Sequence, residues 1–333
     1  MMKNRIIAAI ALLIIAGACV KGFAGDYRNE VNAKWQHTVL AAVDSFPEKG
    51  GYYTGRKVTA DFPKSAWRGL NEAFQMQPSD MKPHIAAEKA VPSFCSLATY
   101  AALLKALTMW DTDYKISRLA WFNLKPYCGV VDIMNPKGYN QDDGEGCWGR
   151  ANANGPGIAV LVNELKAGFS FTGYRGAKSE KNRETPKEQY LSDEEWRADE
   201  VWDYAQKGDF MKIFWNRNET DGSDSGAIIG VNGNKGDDQE HGHSTIFMGY
   251  NDKGEVLYWS SNGPGKDPKN LGYGIGCCDK TKIQRVVFTR ITKPENFNNA
   301  KTIAPNKMNK WLEAIAGKTH GTTKELYKNC GIK

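Results

Sequence analysis

One stretch constrains this chain more than any other. It is residues 95–109, opened by Cys95, where Leu97, Tyr100, Ala101, Leu104 and Leu107 recur three and four apart. That spacing predicts a helix, the most hydrophobic one after the N-terminal segment. Upstream, 27–46 reads as a helix through Trp35, Val39, Ala42 and Val43, broken by Gly50-Gly51. Residues 65–74 read as a short helix capped by Ser65 that buries Trp67, Leu70 and Phe74, and 78–92 as a loop with three prolines. Downstream, 154–167 is a helix opened by Gly155-Pro156 and closed by Gly168, and 178–200 a charged helical excursion. Strands are predicted at 210–215, 243–250, 255–260 and 283–291, with a polar, glycine-rich mobile loop at 222–242 and a last helix at 307–315. Helices first and strands afterwards give an α+β fold, not an alternating parallel sheet. No proline-rich linker divides the chain, so 25–333 is expected to be one domain.

The first 24 residues read as a targeting signal. Lys3 and Arg5 precede the unbroken small and apolar run from Ile6 to Ala18, which is too short to cross a bilayer. Cleavage is expected either after Ala24, with Gly22 and Ala24 as the small residues, or before Cys19. The stretch Ala16-Gly17-Ala18-Cys19 has the form of a lipobox, with Ala16 where leucine is usual. A membrane contact is expected only through an acylated Cys19. The mature protein is thus expected in the periplasm or outside the cell. The net charge of +6 includes Lys3, Arg5 and Lys21 of this segment, and no basic run interleaves with aromatics, so no nucleic-acid partner is expected. Beyond Cys19, six cysteines remain, an even number that suits an oxidising compartment. Cys128 and Cys147 flank a Gly/Asn/Asp-rich loop and are candidates to staple it. Cys330 is a candidate partner for Cys277 or Cys278. That leaves Cys95 as a thiol kept for a purpose or paired at a distance.

Cys95 opens its helix after Pro92-Ser93-Phe94. There it meets unpaired amide protons and the positive end of the helix dipole, both of which favour thiolate. Alone, such a cysteine is more often a small buried hydrophobe. His243 changes the balance. It stands where the glycine-rich loop ends and a strand begins, held on rigid backbone yet open to substrate, as a general base requires. Asn251-Asp252-Lys253-Gly254 signals a turn. If the hairpin folds symmetrically about it, His243 lies opposite Asn262, with Cβ atoms about 5 Å apart. A bulge at Gly254 would bring Ser261 to that face instead. The first oxyanion donor is expected to be the Cys95 N–H, with Ser93, Tyr52 and Tyr53 as candidate side-chain donors.

A nucleophilic cysteine opening a long helix, a histidine opening a strand and an amide on the next strand resemble the papain-like plan. The stretch Ala205-Gln206-Lys207-Gly208-Asp209-Phe210, running on to Trp215, and the stretch Gly242-His243-Ser244-Thr245-Ile246-Phe247-Met248-Gly249 are similar to the paired strands of NlpC-type and CHAP amidases. The similarity covers residues 90–110 and 203–263. It implies a nucleophile helix packed on an antiparallel sheet, a Cys95–His243–Asn262 triad, a tyrosine near the thiolate and no cofactor. It departs in the long separation of Cys95 from His243, which makes about 111–204 a large insertion, and in lacking the Cys-Gly-Ser-Cys-Trp signature of papain-like peptidases.

The expected activity is secreted hydrolysis of amide bonds. Peptidoglycan stem peptides come first as substrate, then proteins, with acyl transfer using the same triad. Two other classes compete. His241 and His243 form an i, i+2 pair like that of LytM-type zinc peptidases, although His37 and His84 lack that family's partner spacing, His84 having Glu88 four residues on. A non-catalytic secreted binding protein would bury or cross-link Cys95, and a free-thiol count separates it from the enzyme.

Overall fold

A computed structural model describes residues 32–55, 58–126, 156–176, 191–215, 228–229, 239–240, 242–263, 268–303, 309, 311–312 and 323–332. The targeting segment with Cys19, the pair Cys128 and Cys147, His241 and most of the 222–242 loop lie outside these residues. So do most of the 178–200 excursion and of the expected 307–315 helix.

In chain order the elements are α1 (32–44), β1 (Lys49–Gly50), α2 (Ala66–Ala73), β2 (Phe74–Gln75), β3 (His84–Ile85), α3 (Cys95–Trp110) and α4 (Arg118–Leu124). Then come α5 (Gly157–Leu165), β4 (Gly168–Tyr174), α6 (Asp193–Arg197), α7 (Glu200–Tyr204), β5 (Phe210–Trp215), β6 (Ile228–Ile229), β7 (Gln239–Glu240) and β8 (Gly242–Tyr250). The last are β9 (Val256–Asn262), β10 (Gly272–Cys278), β11 (Ile283–Ile291) and α8 (Thr323–Cys330). Seven strands form one sheet in the order β1-β10-β9-β8-β5-β11-β4, with every neighbouring pair antiparallel. The class is mixed α+β with an antiparallel sheet.

The period-2 alternation of the strands sorts their side chains onto two faces. Phe210, Ile246, Trp259 and Ile291 face α3 and its neighbours, together with Trp35, Val43, Trp67 and Trp121. Met211, Phe247, Tyr258 and Phe288 face the other way, onto Trp196 and Trp202 of α6 and α7. Helix α3 is buried on nearly its whole circumference, Ser96 to Leu104 without interruption. It forms because it is rich in alanine and leucine, and it ends at Asp111, whose carboxylate accepts the Lys115 and Ile116 N–H groups. Truncating a leucine there, such as Leu104→Ala, costs about 2–5 kcal/mol.

The stretch expected to be an insertion is part of this body. β4 completes the sheet against β11, and α4 carries Trp121 into the α3 core. β4 and β10 were not foreseen as strands. β10 has glycine at alternate positions, Gly272, Gly274 and Gly276, which reads as loop. The sheet uses two of these gaps: Gly272 packs on the Lys49 carbonyl, and a Cβ on Gly276 would fall 2.6 Å from the Tyr258 ring.

The Gly-Asp pair before β5 has a structural task. Asp209 is buried and bidentate to Arg290 of β11, at 2.9 Å to Nε and 2.7 Å to Nη2, and it accepts the Gln206 N–H. Arg290 also donates to the Tyr204 carbonyl at 2.6 Å. The pair ties the start of β5 to β11. Arg290→Met leaves the Asp209 carboxylate buried without its partner. Urea unfolding should show a loss of about 3–5 kcal/mol, and a loss below 1 kcal/mol would show that the pair is not structural.

Cysteine pairing differs from expectation. Cys277, Cys278 and Cys330 are free thiols. Cys330 is buried with Val160, Phe214 and Leu326 at the end of α8, while Cys277 and Cys278 sit on β10 opposite Leu257 and Val256. The tail is held by apolar packing, not by a disulfide to β10.

Candidate active site

Cys95 is the first residue of α3. Its N-cap, Phe94, is extended and offers no side-chain cap. The first helical bond runs from the Ala98 N–H to the Phe94 carbonyl, so the N–H groups of the first turn have no intrahelical acceptor. The half-buried Cys95 sulfur therefore faces the positive end of a 16-residue helix.

α3 lies against β8 and β9, and its height on the sheet is set by polar contacts. Ser96 Oγ meets Ser244 Oγ at 3.3 Å, with both residues buried, and Ser260 Oγ donates to the Ser244 carbonyl at 2.7 Å. Ser96 follows Cys95, and Ser244 follows His243. The Cys95 sulfur lies 3.8 Å from Ser96 Oγ, and the His243 side chain and the Ser244 N–H stand near enough to favour its ionised form.

His243 Nε2 lies 3.0 Å from Asn262 Oδ1. Asn262 Nδ2 donates to the Gly274 carbonyl of β10 at 2.9 Å, which presents Oδ1 to the imidazole. With Nε2 held by the amide, Nδ1 is the nitrogen left for the sulfur. Trp215 stacks beside the ring at 6.3 Å and Tyr258 meets it edge-on at 5.4 Å.

The register that joins His243 to Asn262 has two parts. Near the turn, Tyr250 pairs with Val256 and Gly249 with Leu257. Past a bulge at Met248, Phe247 pairs with Tyr258 and Ile246 with Trp259. The second register is the symmetric one, and continued along β8 it sets His243 level with Asn262. The first would have set it opposite Gly263. The bulge falls on the β8 side, where Gly249 takes φ 105°, and not at Gly254. Ser261 is instead fully buried opposite Tyr273.

The oxyanion candidates separate. Tyr52 bridges Ser93, and its ring packs so closely on Gly263 that a Cβ there would fall 2.4 Å from it. Burial, and then the charge of Cys95, push the Tyr52 hydroxyl well above its ordinary pKa, so it stays a neutral donor beside the thiolate. Tyr53 instead stacks on Phe62 at 4.6 Å. Ser93 is buried, with its hydroxyl against the Phe94 carbonyl and the Tyr273 side chain, and is committed to the core. His84 is exposed on β3 and His37 on α1, each on an element outside the triad. Among the described residues no group of three or more His, Cys, Asp or Glu is placed to hold a metal.

Sequence reasoning missed Lys212 on β5. Its side chain is on the α3 face, paired across the strands with Ser244. The signal was present as a lone charge inside the apolar strand Phe-Met-Lys-Ile-Phe-Trp.

The electrostatics favour thiolate. Burial raises the Cys95 pKa, but the His243 hydrogen bond and charge, the Lys212 charge and the Ser244 N–H outweigh it and bring the value to about 6. Alkylation of Cys95 by iodoacetamide should therefore rise with pH through about 6 and level off above it. In His243→Ala the midpoint should move up toward the free-thiol value of about 8.5. An unchanged midpoint in that variant would separate the histidine from the thiol.

No family model matches this chain, and neither a curated protein nor a solved structure gives a significant match.

Proposed function

We propose that this chain is a secreted cysteine hydrolase of papain-like, NlpC-type fold that cleaves amide bonds, with peptidoglycan stem peptides as its leading substrate class. One observation carries the reading: His243, hydrogen-bonded to Asn262, stands beside Cys95 and favours its thiolate, whose pKa is brought to about 6. The residues have distinct roles. The Cys95 thiolate attacks the amide carbonyl carbon, and the carbonyl oxygen takes up the electron pair. The Cys95 N–H at the helix start and the Tyr52 hydroxyl donate to that oxyanion. Protonated His243 gives its proton to the leaving amine as the C–N bond breaks, leaving a thioester on Cys95. His243 then removes a proton from water, which attacks the thioester and frees the carboxylic acid. Asn262 keeps the imidazole aimed and adds no charge.

The N-terminal segment supports export. The 13-residue apolar run carries basic residues before it and small residues at either cleavage point. Peptidoglycan is the abundant amide polymer in the compartment this implies.

Cys95→Ala should reduce kcat by about 10⁴–10⁶ while leaving thermal unfolding nearly unchanged. The assay is mass spectrometry of purified peptidoglycan, and separately of a peptide mixture, digested with wild type and variant. New free carboxylates made by wild type alone would identify the bond. Turnover within tenfold of wild type in the variant would sink the cysteine-hydrolase reading. Fractionation of expressing cells should recover a chain shortened by 24 residues, or one acylated at Cys19, outside the cytoplasm. An intact Met1 in the cytosol would remove the peptidoglycan argument.

A further inference from the structure

Lys212 is not part of the triad, yet it stands beside it. It lies on β5 directly opposite Ser244, the residue after His243. Cross-strand partners share a face, and on that face Ser244 meets Ser96, next to the nucleophile. The ammonium curls toward the start of β8: a Cβ on Gly242 would fall 2.7 Å from both its Cε and its Nζ. The missing side chain at 242 makes the room. Lys212 also lines a small cleft with Thr99 and Ser244. Among the described residues no carboxylate pairs with it. Its nearby groups are the Phe214 ring, 5.5 Å from Nζ, and the Cys95 thiol. The buried cation Arg290, by contrast, is fully matched by Asp209. A half-buried ammonium with no carboxylate partner is a site for an anion.

We propose that Lys212 anchors a carboxylate of the substrate, so that the amide bonds cleaved here are those with a free carboxylate beside the scissile bond. The inference rests on the hydrolase reading and names its substrate class. An ammonium donates to the oxygens of a carboxylate, which comes either from a peptide C-terminus or from an acidic side chain. Burial lowers the Lys212 pKa and the Cys95 charge raises it. A bound carboxylate acts in the same sense as Cys95 and keeps the ammonium charged.

The test alkylates Cys95 in the full chain at pH 7.5 with iodoacetate or with iodoacetamide, following the Cys95 peptide by mass spectrometry. Wild type should favour the anionic reagent. Lys212→Met should lower the iodoacetate-to-iodoacetamide rate ratio by about tenfold or more, and Lys212→Arg should keep most of it. His243 is present in each variant, so the change in ratio reports Lys212. Equal slowing of both reagents in Lys212→Met would make Lys212 a tuner of the thiol only; the carboxylate proposal would fall and the hydrolase reading would stand. A Cys95 no faster than free cysteine toward either reagent would remove the hydrolase reading and this proposal with it. A second arm needs no variant and decides the matter if Lys212→Met does not fold. N-acetyl-alanine, with a terminal carboxylate, and N-acetyl-glutamic α-amide, with a side-chain carboxylate, compete with iodoacetamide for wild type. Protection by either supports the proposal and identifies the source, while equal protection by neutral N-acetyl-alaninamide, or none by any, overturns it.

Discussion

The contact between the Ser96 and Ser244 hydroxyls fixes where the site can form. Apolar packing holds α3 to the sheet but specifies its height poorly, because alanines and leucines along it present similar surfaces to similar strands. Sliding the helix along β8 would exchange one set of such contacts for another. It would also leave two hydroxyls buried without partners, a penalty that apolar groups do not impose. The hydroxyl pair thus selects one height, and at that height Cys95 and His243, each one residue away from the pair, face each other. The Ser260 hydroxyl extends the same bracing to β9, which carries Asn262.

The cysteines of one chain show what burial does alone and what it does among charges. Cys330, packed among apolar side chains, is pushed far from ionisation, and burial with the acidic groups around Cys278 pushes that thiol up to about 12. Cys95 suffers the same desolvation and moves the other way, because a histidine, a lysine and a backbone N–H are aimed at it. Its reactivity is a property of placement at the meeting of α3, β5 and β8, not of exposure.

Much of this was legible in the chain itself. The 3–4 spacing after Cys95 gave α3, the Asn-Asp-Lys-Gly signal gave the β8–β9 hairpin, and hairpin symmetry paired His243 with Asn262. That pairing came out right although the turn is asymmetric, since the Met248 bulge offsets it. What stayed hidden was non-local. β10 reads as loop because two of its alternate glycines, Gly276 and Gly272, are needed only against Tyr258 and Lys49, contacts that no short window reveals. β4 lies inside what looked like an insertion, since its partner β11 is more than a hundred residues away in sequence. The linkage of Cys330 to β10 failed for a related reason. Counting cysteines says nothing of which cores they enter. Lys212 was visible as a lone charge in an apolar strand, but only the register against Ser244 gives that charge a neighbour.

The Met248 bulge also divides the hairpin mechanically. On the turn side, Asn251 gathers the Lys253 and Glu255 N–H groups onto its own side-chain oxygen and closes the loop by local bonds. On the site side, the strands are aligned by Trp259, Tyr258 and the serines beneath α3. The two halves keep separate registers and are joined by one residue that belongs to neither ladder. Strain introduced at the tip can therefore be absorbed by rotating that residue, before it reaches the histidine. The outer end is closed by the Asn251 bonds and by Tyr250 on the Trp202 carbonyl, while the inner end takes its alignment from the sheet beneath α3.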